Sequence, residues 1–169
     1  EALSNALPEA SGRILLLVHG LCMNDRQWSR TRSDGTSHDH GLALQKAHGY
    51  TPVYLHYNTG LSIADNGRLL SEQLDALVEA WPVEVEDLSI LAHSMGGLVT
   101  RSAHQHAEKA GHAWQRLAAK FIFLGTPHHG APLERGGHWF DLILGSAPFA
   151  APFAKIGKIR SAGITDLRH

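Results

Sequence analysis

The sequence has almost no cysteine, no long apolar run and almost no net charge. Its one cysteine, Cys22, cannot form an intramolecular disulfide, which fits a reducing compartment such as the cytoplasm without deciding it. No segment reaches the roughly 18 uninterrupted apolar residues of a transmembrane helix. Fifteen basic and sixteen acidic side chains give a formal charge of -1. The charge balance therefore gives no reason to expect binding to nucleic acid or to an anionic membrane.

The amino-terminal residues 1–11 also lack the basic and apolar regions of a signal peptide. The sequence starts with glutamate rather than methionine, so it does not exclude a further segment upstream. The localisation is therefore not determined by the sequence. Over 169 residues, 43% are apolar and 18% are charged, which is typical of a soluble globular protein. No linker or internal repeat divides the chain, and a single domain over 1–169 is expected.

Apolar runs alternate with segments of helical spacing. The four predicted strands are 13–18, 51–57, 88–93 and 120–125. The three predicted helices are about 39–48, 61–81 and 95–110. Asp65 or Asn66 is expected to cap the second helix, and 21–40 is expected to be an irregular loop. The alternation predicts an α/β fold in which a parallel sheet has helices on both faces.

A serine follows the third predicted strand, in the sequence Ala92-His93-Ser94-Met95-Gly96. Strand, sharp turn and helix in this order are typical of a nucleophile elbow, where small neighbours let a serine hydroxyl project above a parallel sheet. Ala92 stands where the usual pattern has its first glycine. The other strands end in His19-Gly20, His56-Tyr57 and Gly125-Thr126. Because such ends meet at one edge of a parallel sheet, that edge is predicted to hold the site.

Nucleophilic attack by Ser94 would require donors for the oxyanion of the tetrahedral intermediate. One expected donor is the backbone N–H of Met95, directly after the serine and at the start of a helix. The other is the backbone N–H of Leu21, in the loop after the first strand. Gly20 in that loop lets the backbone come close to a substrate.

Three motifs resemble the lipase and esterase branch of the α/β-hydrolase superfamily, particularly bacterial hydrolases related to the inositol-deacylase type. They are Val18-His19-Gly20-Leu21-Cys22, Ala92-His93-Ser94-Met95-Gly96-Gly97-Leu98-Val99 and Leu124-Gly125-Thr126-Pro127-His128-His129-Gly130. The resemblance implies a serine hydrolase that cleaves small-molecule or lipid carboxylic esters through an acyl-enzyme and needs no cofactor. Thioester or amide hydrolysis at the same site stays an alternative. The candidates for lining the pocket are His19, Gly20, His93, His128 and His129.

The chain departs from the family order after the nucleophile. That order places an acid after a later strand and a histidine near the chain end. The only aspartates after Ser94 are Asp141 and Asp166, and no predicted strand presents them. We therefore expect the amino-terminal part of a longer enzyme, with a cap segment at about 131–160 and no triad acid or base of its own. The alternative is a non-catalytic domain that a partner chain or a missing C-terminal segment completes.

Thirteen histidines raise the possibility of a metal site. The pairs are His38 and His40, His104 and His106, and His128 and His129. None has a full ligand set at metal spacing, so no metal site is predicted. His128 and His129 are expected to shape the pocket rather than to act as the catalytic base. Asp25 and Trp28 either line the pocket or order the loop after the first strand.

Overall fold

Residues 2–128 are the part of the chain that the computed structural model describes. The strands are β1 (Arg13–Val18), β2 (Ser29–Thr31), β3 (Ser37–Asp39), β4 (Thr51–Leu55), β5 (Asp87–His93) and β6 (Ala118–Leu124). The α-helices are α1 (Ala2–Ala6), α2 (His40–His48), α3 (Ile63–Glu79), α4 (Met95–Ala110) and α5 (Trp114–Leu117), and a 3-10 helix spans Asp25–Trp28. No helix in this range is long and apolar enough to cross a lipid bilayer.

Four strands form one parallel sheet in the order β4-β1-β5-β6. Val18 of β1 is paired with Leu55 of β4 on one side and with Ala92 of β5 on the other. His93 of β5 is paired with Leu124 of β6. These registers bring the carboxyl ends of all four strands to the same edge of the sheet, as the sequence predicted.

The central strands are buried on both faces because helices cover both. Leu16 of β1 lies in a buried cluster with Leu70 of α3 and Val99 of α4. The next residue, Leu17, lies on the opposite face in a cluster with Trp28 of the 3-10 helix, against which α2 also packs. The continuous apolar run of β1 therefore supplies both halves of the core. The predicted fold class, a parallel sheet with helices on both faces, is confirmed.

The predicted cap of α3 was wrong, since Ser62 caps this helix. Ser62 Oγ accepts a hydrogen bond from the Asp65 N–H at 3.0 Å and donates one to the Asp65 carboxylate at 2.7 Å. The serine hydroxyl thereby satisfies one of the free N–H donors of the first turn. Asp65 therefore lies inside the first turn, where its charge is favourable, and the helix begins at Ile63.

The segment 21–40, predicted to be an irregular loop, contains the 3-10 helix and an antiparallel hairpin of β2 and β3. The Asp39 carboxylate holds this hairpin in place. It accepts hydrogen bonds from the hydroxyls of Ser29 and Tyr54 and, at 2.8 Å, from the Leu42 N–H at the start of α2. One acidic side chain thus connects β2, β4 and α2, a set of contacts that the polar sequence of the hairpin does not reveal.

The helices α3 and α4 approach closely at Gly67. A Cβ atom on Gly67 would lie 2.2 Å from Ser102 Oγ and 2.9 Å from the Ser102 carbonyl carbon. The second contact is with the backbone of α4, which cannot rotate away as a side chain can. Gly67 is therefore required by packing, although glycine is a poor residue for the interior of a helix.

We expect Gly67→Ala to destabilise the protein. Alanine favours the helix by about 1 kcal/mol, but the clash with α4 should exceed this gain and lower the free energy of unfolding by about 1–3 kcal/mol. Urea denaturation would measure the change. Gln73→Ala, on the exposed face of the same helix, is the control and should change stability by less than about 0.5 kcal/mol. A Gly67→Ala protein as stable as the wild type would contradict the close packing.

Candidate functional site

Ser94 is the single residue between β5 and α4. Its φ of 52° and ψ of -125° lie in a region that residues with a Cβ atom rarely adopt. Its N–H donates to the Leu124 carbonyl at 2.9 Å, and its carbonyl accepts from the Gly97 N–H at 3.0 Å. Hydrogen bonds on both sides thus hold Ser94 in a strained turn at the carboxyl edge of the sheet.

Two glycines bring this turn against the turn that follows β1. A Cβ atom on Gly96 would lie 2.4 Å from the His19 carbonyl oxygen. A Cβ atom on Gly20 would lie 3.1 Å from both Ser94 Cβ and His93 Nδ1. The close approach of Gly20, His93 and Ser94 was expected from the alignment of strand ends, and the two glycines make it possible.

Leu21 and Met95, the two expected donors, belong to one small buried cluster, against which Tyr57, Ile63 and Leu98 pack. Neither the Leu21 N–H nor the Met95 N–H has an acceptor among the described residues. The first N–H groups of a helix have no partner within the helix, which explains the free amide of Met95. Two free amides therefore lie on the adjoining turns after β1 and β5.

His19 is fully buried directly after β1. Its Nδ1 lies 3.0 Å from the Gly20 carbonyl oxygen and must donate, because a carbonyl can only accept. The His19 ring stacks on the Tyr57 ring with 4.3 Å between centroids, and the Tyr57 hydroxyl donates to the His19 carbonyl at 2.8 Å. Burial lowers the pKa of His19, so the ring is neutral near pH 7.

A second histidine connects the loop after β1 to the end of β4. His56 Nδ1 lies 2.8 Å from the Asp25 carboxylate, which belongs to the 3-10 helix after Leu21. This hydrogen bond holds the pKa of Asp25 below its ordinary value. Since Trp28 is buried in the core beside Leu17, Asp25 and Trp28 both order this loop.

His128 lies on the loop after β6, where it contacts α4. Its Nδ1 is 3.1 Å from Arg101 Nη1, and its ring meets Phe123 edge-on at 5.0 Å. Within residues 2–128, no hydrogen bond joins the Ser94 hydroxyl to a histidine or a carboxylate. Some residues named in the sequence predictions lie outside the described part of the chain. They are His129, Asp141, Asp166 and the expected cap segment at 131–160.

The other histidines do not assemble a metal site in the described part of the chain, where no three His, Cys, Asp or Glu side chains converge. The rings of His38 and His40 meet edge-on at 4.9 Å. His93 Nδ1 is buried without a partner in the same range, and burial lowers the pKa of this histidine.

Tyr57 and His56 are neighbours of the site that were assigned no role from the sequence, whereas Asp25 was expected either to line the pocket or to order the loop after the first strand. The sequence did place His56 and Tyr57 at a strand end, which indicated that they lie at the edge of the sheet where the site was predicted. Their contacts depend on the pairing of β4 with β1, which brings together residues far apart in the sequence.

The sequence matches a family model described as "Domain of unknown function (DUF7379)" over residues 2–157. The chain belongs to this family. No curated protein matches the chain.

Two solved structures of the lipase BlEst2 from Bacillus licheniformis resemble the chain. The mature form has a TM-score of 0.61 at 18% identity, covering 92% of this chain and 54% of that one. The propeptide form has a TM-score of 0.63 at 22% identity, covering 93% of this chain and 30% of that one. At these identities the likeness shows an α/β-hydrolase-like fold and no more. The chain spans about half of the mature lipase.

We expect stability to decrease as the pH falls below about 6.5, because burial lowers the pKa of His19 in the folded protein. The unfolded chain then binds a proton that the folded protein does not. The urea midpoint should be lower at about pH 5.5 than at about pH 7.5, a window above the titration of carboxylates. His19→Asn should reduce this difference, since asparagine does not titrate and its amide can replace Nδ1. An undiminished difference would contradict the role of His19.

Proposed function

We propose that the protein is a serine hydrolase that cleaves carboxylic esters through an acyl-enzyme, with Ser94 as the nucleophile. The observation that carries this proposal is the strained backbone of Ser94, with φ at 52°, in the turn between β5 and α4. Such strain is characteristic of functional sites, and a turn between a parallel strand and the following helix is where a nucleophile elbow carries its serine. The lipase-like fold supports the same proposal.

In the proposed reaction, Ser94 Oγ attacks the ester carbonyl carbon and its proton passes to a base. The resulting oxyanion accepts hydrogen bonds from the N–H groups of Leu21 and Met95, both of which are free among residues 2–128. The alcohol leaves with a proton, and water then releases the acid from the acyl-enzyme. The N-terminus of α4 favours the negative charge on the oxyanion.

The proposed substrate is a small-molecule or lipid ester, and the chemistry needs no cofactor. Gly20 and His93 adjoin Ser94 and would line the pocket nearest the nucleophile. His19 would support this part of the pocket lining from beneath, since its side chain is buried. His128, on the loop after β6, is a further candidate for lining the pocket, and His129, the next residue in the sequence, is proposed with it. The triad acid and base are proposed to come from residues outside 2–128.

The second candidate function is a non-catalytic α/β domain that is completed by a partner chain or a further segment. It is favoured by the absence of any hydrogen bond from Ser94 Oγ to a histidine or carboxylate in residues 2–128. In that range β6 pairs only with β5, and its residues Ile122 and Leu124 are each 44% exposed. An unpaired strand edge with exposed apolar side chains favours addition of another strand.

Ser94→Ala should lower kcat/KM for p-nitrophenyl esters at least about 10³-fold, because the nucleophile is lost. The measurement is initial-rate turnover with esters of several acyl lengths. Ser71→Ala is the matched control. Ser71 Oγ lies 2.8 Å from His112 Nδ1, but Ser71 is fully buried and accepts a hydrogen bond from Trp114 Nε1.

Ser71→Ala should keep the wild-type kcat/KM per folded molecule. Undiminished turnover by Ser94→Ala would contradict the assignment of the nucleophile. A folded wild-type chain that turns over no ester would favour the second candidate function.

A further inference from the structure

The direction of the Leu21 N–H is set by the peptide bond that precedes it. In a trans peptide the C=O and N–H bonds lie in one plane and point in opposite directions. The Leu21 N–H therefore points away from the Gly20 carbonyl oxygen. Because this N–H has no acceptor in residues 2–128, its orientation depends on contacts made by the neighbouring carbonyl groups.

Two hydrogen bonds hold those carbonyl groups. His19 Nδ1 donates to the Gly20 carbonyl at 3.0 Å, and the Tyr57 hydroxyl donates to the His19 carbonyl at 2.8 Å. Gly96 packs against the same His19 oxygen, where a Cβ atom would lie only 2.4 Å away. The His19 carbonyl is thus confined between Tyr57 and the first turn of α4.

Tyr57 also supports the first of these hydrogen bonds. Its ring stacks on the His19 ring at 4.3 Å and 22°, which holds Nδ1 in line with the Gly20 carbonyl. Its side chain packs against the cluster of Leu21 and Met95. Burial raises the pKa of Tyr57, so the hydroxyl keeps its hydrogen near neutral pH. Tyr57 therefore contacts the His19 carbonyl, the His19 ring and the cluster of Leu21 and Met95, which together fix the turn after β1.

We propose that Tyr57 is a positioning residue that orients the Leu21 amide through His19. This inference rests on the proposed ester hydrolysis, in which that amide binds the oxyanion. Tyr57 itself need not touch the substrate. Since the negative charge develops only in the transition state, a misoriented amide should lower kcat and leave KM nearly unchanged.

The first test does not depend on activity. Tyr57→Phe removes the hydroxyl and keeps the ring, and ¹⁵N relaxation of the chain reports backbone order at Gly20 and Leu21. We expect order parameters near the rigid value of about 0.85 in the wild type and clearly lower values in Tyr57→Phe. Tyr54→Phe is the matched control, because the Tyr54 hydroxyl donates to Asp39 and does not contact the turn after β1.

The second test measures turnover of a p-nitrophenyl ester by the same variants. Tyr57→Phe should lower kcat about tenfold with little change in KM or in the melting temperature, as expected when alignment rather than binding is lost. Tyr54→Phe should keep the wild-type kcat. A lower melting temperature with kcat unchanged would assign Tyr57 a purely structural role and overturn the inference.

The two tests separate this inference from the proposed function. Unchanged order parameters at Gly20 and Leu21 in Tyr57→Phe would overturn the inference whether or not the protein hydrolyses esters. If the order parameters are lower in Tyr57→Phe but the wild type turns over no ester, Tyr57 does order the turn after β1. The proposed binding of an oxyanion by the Leu21 amide would then be rejected. Lower order parameters together with lower kcat would support both.

Discussion

The lack of a side chain at Gly96 is the constraint on which the candidate site depends. A Cβ atom there would lie 2.4 Å from the His19 carbonyl oxygen, so α4 could not begin against the end of β1. This contact brings together the turn after β1 and the turn after β5. Leu21 lies on the first turn and Ser94 on the second. The proposed ester hydrolysis requires both residues and therefore both turns. The parallel pairing of β1 with β5 then keeps the two turns at one edge of the sheet.

The strained turn at Ser94 is stabilised by its surroundings. A residue held in a sparsely populated backbone conformation costs on the order of 1–3 kcal/mol. The hydrogen bonds to the Leu124 carbonyl and from the Gly97 N–H offset part of that cost. The strand beneath the turn, β5, is buried on both faces, with Ile90 in one half of the core and Leu91 in the other. The rigid sheet therefore determines the position of the serine, as a preorganised site requires.

The sequence predicts the parts of the fold that depend on local pattern. The apolar run of β1 predicted a strand buried on both faces, and the glycines after Ser94 predicted a tight turn. Both features require particular residue types at neighbouring positions of the sequence. The hairpin over 29–39 was missed, since it is held by the Asp39 side chain and not by an apolar face. The contacts of Tyr57 were missed because they depend on which strands become neighbours. The donors at Leu21 and Met95 stay a prediction, supported by their free amides and their shared cluster.

In the proposed mechanism, Ser94 attacks a carbonyl whose oxygen is bound by the Leu21 and Met95 amides. The most direct measurement is a crystal structure of the protein after reaction with an alkyl fluorophosphonate, which mimics the tetrahedral intermediate. This mechanism predicts a covalent bond from phosphorus to Ser94 Oγ, with the phosphonyl oxygen about 3 Å from both the Leu21 and the Met95 nitrogen. An unmodified Ser94, or a phosphonyl oxygen directed away from both amides, would contradict it.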